Sequence, residues 1–196
     1  MKKLVKSLCV LFCLLIGGSP VASEEILYRL VNKNEIYEIR YYNTVLIAEV
    51  EYTGANGGFG ELFNYISGAN KQTVNDKNIG SSVKIEMTTP VTRINYRDSN
   101  IMQFFLPNRF TLETVPKPTN PNVRIRQFDS GYFAAIRYSG STSEENFRKY
   151  ANVLINSLDD NNINYLEPAI QATYNGPFTP PFMRRNEVIY KVEWNN

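Results

Sequence analysis

The chain has 196 residues, with 21 basic and 19 acidic side chains and no histidine. Proteins that bind nucleic acids usually have an excess of basic residues, which contact the phosphate backbone. Basic and acidic residues are nearly equal in number here, so the sequence predicts no nucleic-acid partner. The absence of histidine excludes Ser-His-Asp and Cys-His nucleophilic sites, and it excludes histidine-ligated zinc or haem iron.

The first 23 residues have the pattern of a secretory signal peptide. Three lysines precede an apolar run over residues 8–16, which is too short to span a bilayer as a permanent helix. The small residues Val21 and Ser23 suit the −3 and −1 positions of a cleavage site, which predicts a mature chain that begins at Glu24. We therefore expect an exported protein, periplasmic or secreted, with no stable membrane insertion after cleavage; an uncleaved anchor is the alternative.

Cleavage would change the composition of the protein. Cys9 and Cys13 both lie in the predicted signal peptide, so the mature chain would have no thiol and no disulfide. The loss of three lysines would leave 18 basic against 19 acidic side chains, a net charge of −1. Stability must then come from a packed core, which residues 24–196 can form as a single domain.

The mature chain contains an internal repeat. Residues 37–54 and 123–140 align without a gap at an offset of 86, with identical residues at five positions. Each copy predicts two strands joined by a turn, with Asn43-Thr44 and Asp129-Ser130 as the turn residues. Apolar side chains alternate along the second strand of each copy, at Leu46, Ala48, Val50 and Tyr52 and again at Tyr132, Ala134, Ile136 and Tyr138.

A helix is predicted after each strand pair, because apolar side chains recur at i, i+3, i+4 and i+7. These residues are Phe59, Leu62, Phe63 and Ile66 in the first copy and Phe147, Tyr150, Ala151 and Leu154 in the second. Further strands are predicted over residues 83–92, 101–106, 169–174 and 187–193. The result is a duplicated β-α-β-β unit, over about residues 37–106 and 123–193, which predicts an α+β fold whose antiparallel strands curl into a barrel.

Residues 84–91 form the least regular of the predicted strands. Ile85 and Met87 alternate with charged residues, and Pro90 then restricts the segment to a sheet edge, a bulge or a rim. A polarizable methionine beside such an irregularity is typical of a pocket wall. Packing of Met87 in the core is the alternative.

Four blocks of this sequence closely resemble the signature blocks of the SOUL haem-binding protein family, in the same order and at similar spacing. They are YEIRYY at residues 37–42, YISGAN at 65–70, KIEMTTPV at 84–91, and a closing block that runs from ATYN at 172–175 to TPPFMRRNEV at 179–188. The resemblance covers residues 24–194.

The resemblance implies a distorted antiparallel β-barrel with two main helices and a hydrophobic surface that takes haem or a related tetrapyrrole. Carried over by position, the pocket of the family corresponds to Tyr41, Phe59, Leu62, Phe63, Ile66 and Met87. Some members have a histidine, proposed as an iron ligand, where this chain has Tyr41. Three arrangements remain open: a Tyr41 phenolate on the iron, a Met87 thioether on the iron, or a ring held by packing alone.

The propionates of a bound tetrapyrrole would need cations at the edge of the pocket. Lys71, Lys84 and Arg93 are candidates because they are close in sequence to the pocket residues. For each of them, a solvated surface position is the alternative.

The sequence therefore predicts a monomeric, non-enzymatic carrier or buffer of haem or porphyrin. Two alternatives remain open. Related duplicated folds serve small-molecule hydrolysis and effector binding, and Glu38 or Glu86 would then act as a general base with a raised pKa. A protein-interaction module that has lost its ligand would instead have a filled surface without a pocket.

Overall fold

The computed structural model describes residues 24–54, 57–72, 80–96 and 98–194, so the predicted signal peptide lies outside the described residues. Helix α1 spans Phe59–Ile66, helix α2 spans Glu144–Asp160, and a 3-10 helix spans Pro181–Met183. Within these ranges, no helix is long and apolar enough to cross a membrane.

The described residues also form thirteen strands. In chain order they are β1 (Glu24–Glu25), β2 (Tyr28–Lys33), β3 (Glu38–Tyr42), β4 (Val45–Tyr52), β5 (Asn70–Lys71), β6 (Thr88–Thr89), β7 (Val91–Asn95), β8 (Asn100–Phe105), β9 (Lys117–Pro118), β10 (Val123–Phe128), β11 (Gly131–Tyr138), β12 (Tyr165–Thr173) and β13 (Asn186–Val192).

Nine of these strands form one antiparallel sheet, in the order β10-β4-β8-β7-β12-β13-β11-β3-β2. This sheet curls into a half-barrel. The remaining strands form two short pairs, β1 with β6 and β5 with β9. The α+β class, the curled antiparallel sheet and the two main helices predicted from the sequence are therefore confirmed.

The two predicted strand–turn–strand units do not pair within themselves. β3 pairs with β11, for example Tyr41 with Tyr132, and β4 pairs with β10, for example Ala48 with Ile125. One partner of each strand thus comes from the other half of the chain. The predicted turn residues therefore connect strands that are not neighbours in the sheet. Strands from both halves of the chain form a single sheet.

The prediction of a strand over residues 83–92 is wrong for the first half of this range. Only β6 and the start of β7, in the second half, are strands. The backbone before them bonds elsewhere. The Ile85 N–H donates to the carbonyl of Ile66 at the end of α1, at 2.8 Å, and Val83 exchanges hydrogen bonds with the side chain of Asn70. This segment therefore fastens the end of α1 before the chain joins the sheet.

Each helix buries one apolar side against its own group of strands. The buried side chains of α1 join a cluster on β4, β8 and β10, and those of α2 join a cluster on β11 and β13. The alternate residues of these strands form a third cluster on the opposite face of the sheet, which is rich in aromatic rings such as Tyr42, Phe105 and Phe133. The core thus consists of three clusters of side chains, and two of these include side chains from a helix.

Gly58, the residue before α1, allows the helix to approach β4 closely. A Cβ atom at this position would lie 1.9 Å from Cγ1 of Val50. We expect Gly58→Ala to lower the free energy of unfolding by about 1–3 kcal/mol, because the helix or Val50 must move. Chemical denaturation measures this loss, and the double variant with Val50→Ala should lose less stability than the sum of the two single changes, because the smaller side chain relieves the clash. Equal stability of Gly58→Ala and the wild type would contradict the close packing.

Candidate functional site

A strip of the sheet lies between the two helices. Met102, Arg93, Gln171 and Val188 are successive cross-strand neighbours on β8, β7, β12 and β13, so their side chains lie on one face of the sheet. Met102 packs against the cluster of α1, whereas Val188 belongs to the cluster of α2. Both helices therefore cover the same face, and the strip on β7 and β12 lies in the gap between them.

A cavity of about 650 Å³ is lined by residues of this strip. Phe59 contributes from α1, Met87 from the segment before β6, and residues 175–177 from the loop after β12. The volume lies within the range of roughly 300–1,000 Å³ that is usual for small-molecule sites. The gap between the helices is thus large enough to seat a ligand of moderate size.

The walls of this cavity are predominantly apolar. Phe59, Met87, Val91, Met102 and Pro177 all line it, and no carboxylate is present among its described lining residues. Two other concavities, of about 510 and 340 Å³, are lined by several charged side chains of both signs. The cavity between the helices is therefore better suited to an apolar ligand than either of these.

The loop that forms one wall is held by the hydrogen bonds of the protein itself. The Arg184 guanidinium donates to the carbonyls of Thr179 at 2.8 Å and Pro177 at 2.9 Å. The Gly140 N–H donates to the carbonyl of Pro181 at 2.9 Å. The wall is thus formed without any contribution from a ligand.

Tyr174 also lines the cavity, but its phenol is already engaged. The hydroxyl donates to Oε2 of Glu187 at 2.9 Å. Burial raises the pKa of Tyr174 far above its ordinary value, and the negative charge of Glu187 raises it further. Tyr174 therefore remains a neutral donor and supplies no phenolate to a ligand.

The structure divides the four predicted residues of α1 between two environments. Leu62 and Ile66 are buried in the core cluster under the helix. Phe59 lines the cavity and also contacts Phe104 edge to face, with ring centres 5.2 Å apart. Phe63 stacks on Phe59 at 5.9 Å, but it does not line the cavity. Of the predicted pocket residues, the structure thus brings together Phe59 and Met87.

Tyr41 lies elsewhere. It is on β3, four strands away from β7 in the sheet order, which is roughly 19 Å measured along the curve of the sheet. Its ring contacts Tyr132 edge to face at 5.0 Å, and the Arg29 guanidinium lies 5.4 Å from its centre. Tyr41 is not among the residues that line the cavity.

Of the three candidate cations, Arg93 lines the cavity. Lys71 and Lys84 are exposed and do not line it. The sequence interpretation missed Met102 and Gln171, which lie beside Arg93 in the same cross-strand row. Their alternation along β8 and β12 was the only available signal, and it does not tell which strands are neighbours.

The two candidate general bases have pKa values shifted away from that role. Burial acts to raise the pKa of Glu38, but hydrogen bonds from Lys33 and Arg40 outweigh it and hold the pKa below its ordinary value. Glu86 is exposed, and a hydrogen bond from Arg109 lowers its pKa. Neither carboxylate lines the cavity. Over the described ranges, no group of three or more His, Cys, Asp or Glu side chains is arranged to hold a metal ion.

Several solved structures share this fold. The EcmrR C-terminal domain aligns with a TM-score of 0.57 and 11% identity, over 85% of this chain and 98% of that one. A hydrolase from Listeria innocua aligns with a TM-score of 0.55 and 11% identity, over 83% and 94%. An uncharacterized conserved protein from Listeria innocua aligns with a TM-score of 0.57 and 9% identity, over 82% and 93%. At such low identity, these likenesses show the fold alone.

Sequence comparison gives the family. No curated protein matches the chain. The model of the SOUL heme-binding protein family, however, matches residues 23–191, which is most of the sequence. The chain therefore belongs to the SOUL heme-binding protein family.

Proposed function

We propose that this protein binds haem or a related tetrapyrrole in the cavity between α1 and α2, as a non-enzymatic carrier or buffer. The observation that carries the proposal is the apolar cavity of about 650 Å³ beside the first helix, in a member of a heme-binding family. Export to the periplasm or the exterior, with the protein acting as a monomer, is part of the same proposal.

The side chains around the cavity fit a flat apolar ring. Phe59 offers an aromatic surface, and Met87 and Met102 offer polarizable thioethers that suit contact with a π system. Burial of a few hundred Å² of apolar surface, at ~25 cal/mol per Å², would supply several kcal/mol before ordering costs. This is compatible with dissociation constants of about micromolar without any bond to a metal.

In this proposal, packing holds the ring and no strong iron ligand is needed. Tyr41 lies away from the cavity, and Tyr174 remains protonated because burial, and then the charge of Glu187, raise its pKa. Met87 and Met102 bring soft thioether sulfur atoms, which suit ferrous iron better than ferric iron. We therefore expect the protein to accept both the metal-free porphyrin and haem.

The alternatives find less support in the site. The lowered pKa values of Glu38 and Glu86 disfavour general-base catalysis by either carboxylate. The likeness to a hydrolase from Listeria innocua, at 11% identity, concerns the fold and carries no activity to this chain. A ligand-free interaction module is disfavoured by a cavity of this size and apolar character.

Titration of the mature protein with ferric haem and with metal-free protoporphyrin tests the proposal. We expect saturable changes in Soret absorbance and in the fluorescence of Trp194, the single tryptophan. The two dissociation constants should be similar, because iron adds no strong bond. The absence of a saturable change with both ligands would refute the binder, and a large preference for haem would refute binding by packing alone.

Met87→Ala probes the role of the predicted pocket methionine. We expect it to weaken haem and protoporphyrin equally, by about three- to tenfold, because the lost contact is worth on the order of 1 kcal/mol with either ring. Met183→Ala is the matched control, since Met183 is exposed and does not line the cavity. A loss confined to haem would instead mean that the Met87 sulfur binds the iron.

A further inference from the structure

Arg93 lies in the wall of the apolar cavity with part of its hydrogen-bonding capacity unused. Its Nε is buried and has no hydrogen-bond partner. A buried donor without a partner is costly, and such groups are uncommon in folded proteins. The Nε atom is not accessible from the cavity, but the Arg93 side chain as a whole is 34% exposed and lines the cavity, so its guanidinium can meet a ligand there through the Nη atoms.

Gln171 positions the guanidinium of Arg93 without neutralising it. The Gln171 side chain is buried, and its Oε1 accepts a hydrogen bond from Nη2 of Arg93 at 2.5 Å. Its Nε2 in turn donates to the carbonyl of Thr142, at the start of α2, at 3.2 Å. The amide of Gln171 is thus fixed at both ends, and it restricts where Arg93 points.

The carboxylate paired with Arg93 is already bound to closer partners. Glu144 is 3.9 Å from Nη2 of Arg93, whereas it accepts hydrogen bonds from Arg148 at 2.8 Å and from Asn95 at 3.0 Å. The Glu144 side chain is also 45% exposed, so solvent screens its charge. The positive charge of Arg93 therefore remains largely available to a group in the cavity.

The other nearby cations do not serve the same purpose. The Arg184 guanidinium also lines the cavity, but it is engaged by two carbonyls of the loop. Helix α1, with the sequence FGELFNYI, has no basic residue. Arg93 is thus the cation that the described lining residues leave free for a ligand.

We infer that Arg93 and Gln171 form a carboxylate subsite, which selects tetrapyrroles with free carboxylate groups over neutral ones. This inference rests on the proposed function and adds the chemical class of the ligand. A guanidinium donates charge-assisted hydrogen bonds to a carboxylate, and these are stronger in apolar surroundings than in water. The remaining lining residues hold the ring, and the subsite orients its acidic edge toward β7 and β12.

The test compares protoporphyrin with its dimethyl ester, which has the same ring but no carboxylate. Both are titrated into the mature protein under identical solvent conditions, with Soret absorbance as the readout. We expect the free acid to bind about tenfold more tightly, or better, because a hydrogen bond to a charged group is lost in the ester.

Two variants assign this preference to the subsite. Arg93→Met removes the charge and keeps an apolar stem, so the free acid should lose about tenfold in affinity while the ester is unaffected. Gln171→Glu keeps the shape of the amide but gives Arg93 an internal carboxylate, so it should also abolish the preference. Arg126→Met is the matched control, because Arg126 is exposed, pairs with Glu49 and does not line the cavity.

The outcomes separate the subsite from the proposed function. Equal binding of acid and ester by the wild type, or a preference that survives in folded Arg93→Met, would overturn the subsite and leave tetrapyrrole binding intact. A lack of binding by both compounds would overturn the proposed function and the subsite together. Circular dichroism confirms the fold of each variant, and Arg93→Lys, which keeps the charge, should retain most of the preference.

Discussion

Glu187→Gln is expected to lower the free energy of unfolding by about 3–5 kcal/mol, the usual effect of removing one partner from a buried ion pair. Glu187 is fully buried and Arg40 is 3% exposed, and their closest nitrogen–oxygen distance is 2.7 Å. Glutamine has the same shape as glutamate but no charge, so the substitution removes the fully buried carboxylate from Arg40 and leaves the partly exposed Glu38 as its remaining acidic partner. The loss arises because the charge of the buried Arg40 is then less well compensated.

The control for this effect is an exposed ion pair. Glu86→Gln breaks the pair with Arg109, in which both side chains are at least half exposed, and should cost no more than about 1 kcal/mol. The double variant Arg40→Met with Glu187→Gln removes both charges, and it should lose less stability than the sum of the single changes. A cost for Glu187→Gln as small as that for Glu86→Gln would contradict this account.

The same pair gives the protein a specific response to acid. Burial would raise the pKa of Glu187, but hydrogen bonds and charges from Arg40 and Arg185 outweigh it and lower the pKa. A carboxylate whose pKa is lowered by folding stabilises the protein above the ordinary glutamate pKa of about 4.3, and this contribution is lost as pH falls through the folded pKa. Below about pH 4.3, Glu187→Gln should therefore lose stability less steeply than the wild type in thermal melts.

Phe59→Ala should weaken protoporphyrin binding by about tenfold, the expected cost of removing an aromatic contact worth on the order of 1–2 kcal/mol. The ring of Phe59 lines the cavity and is 46% exposed in the protein, so a ligand can cover it. Protein stability should change little by comparison, because the buried side of α1 is formed by Leu62, Tyr65 and Ile66.

Phe63→Ala is a closely matched control. Phe63 is on the same helix, one turn further along, and is exposed to a similar extent at 48%, but it does not line the cavity. We expect its replacement to reduce the affinity by no more than about twofold, through the lost stacking on Phe59. Equal losses for the two variants would place the ligand on the outer surface of α1 and not in the cavity.

The helical pattern of α1 predicted the helix and its apolar side, but it did not predict which residues of that side are buried in the core and which line the cavity. Phe59, Leu62, Phe63 and Ile66 all satisfy the same i, i+3, i+4, i+7 rule. The strands below α1 decide which of them are buried: Leu62 and Ile66 face β4 and β8, whereas Phe59 lies at the edge of the gap. Such tertiary neighbours are not encoded in local periodicity.

Strand order limited the prediction of the site in a similar way. The alternation of residues identified β3, β4, β10 and β11, but pairing across the two halves separates Tyr41 from Met87. The same pairing brings Arg93 next to Gln171, although they are 78 residues apart in the chain. These contacts depend on the closure of long loops and on sheet order, which a single sequence does not give.

The segment before β6 shows how local bonds override a strand pattern. Ile85 and Met87 alternate with charged residues as in a strand, yet Ile85 bonds to the carbonyl of Ile66 and is buried under α1. This arrangement places Met87 in the wall of the cavity. The prediction of a pocket methionine at this irregularity stays a prediction until a ligand is bound.

Methyl NMR of methionine tests most directly whether the ligand occupies the gap between the helices. Apart from Met1, the chain has three methionines: Met87 and Met102 line the cavity, and Met183 is exposed on the loop and does not line it. On addition of metal-free protoporphyrin, the ring current of the porphyrin should shift the methyl signals of Met87 and Met102 strongly and that of Met183 much less. Saturable binding that leaves the signals of Met87 and Met102 unmoved would contradict the proposed site.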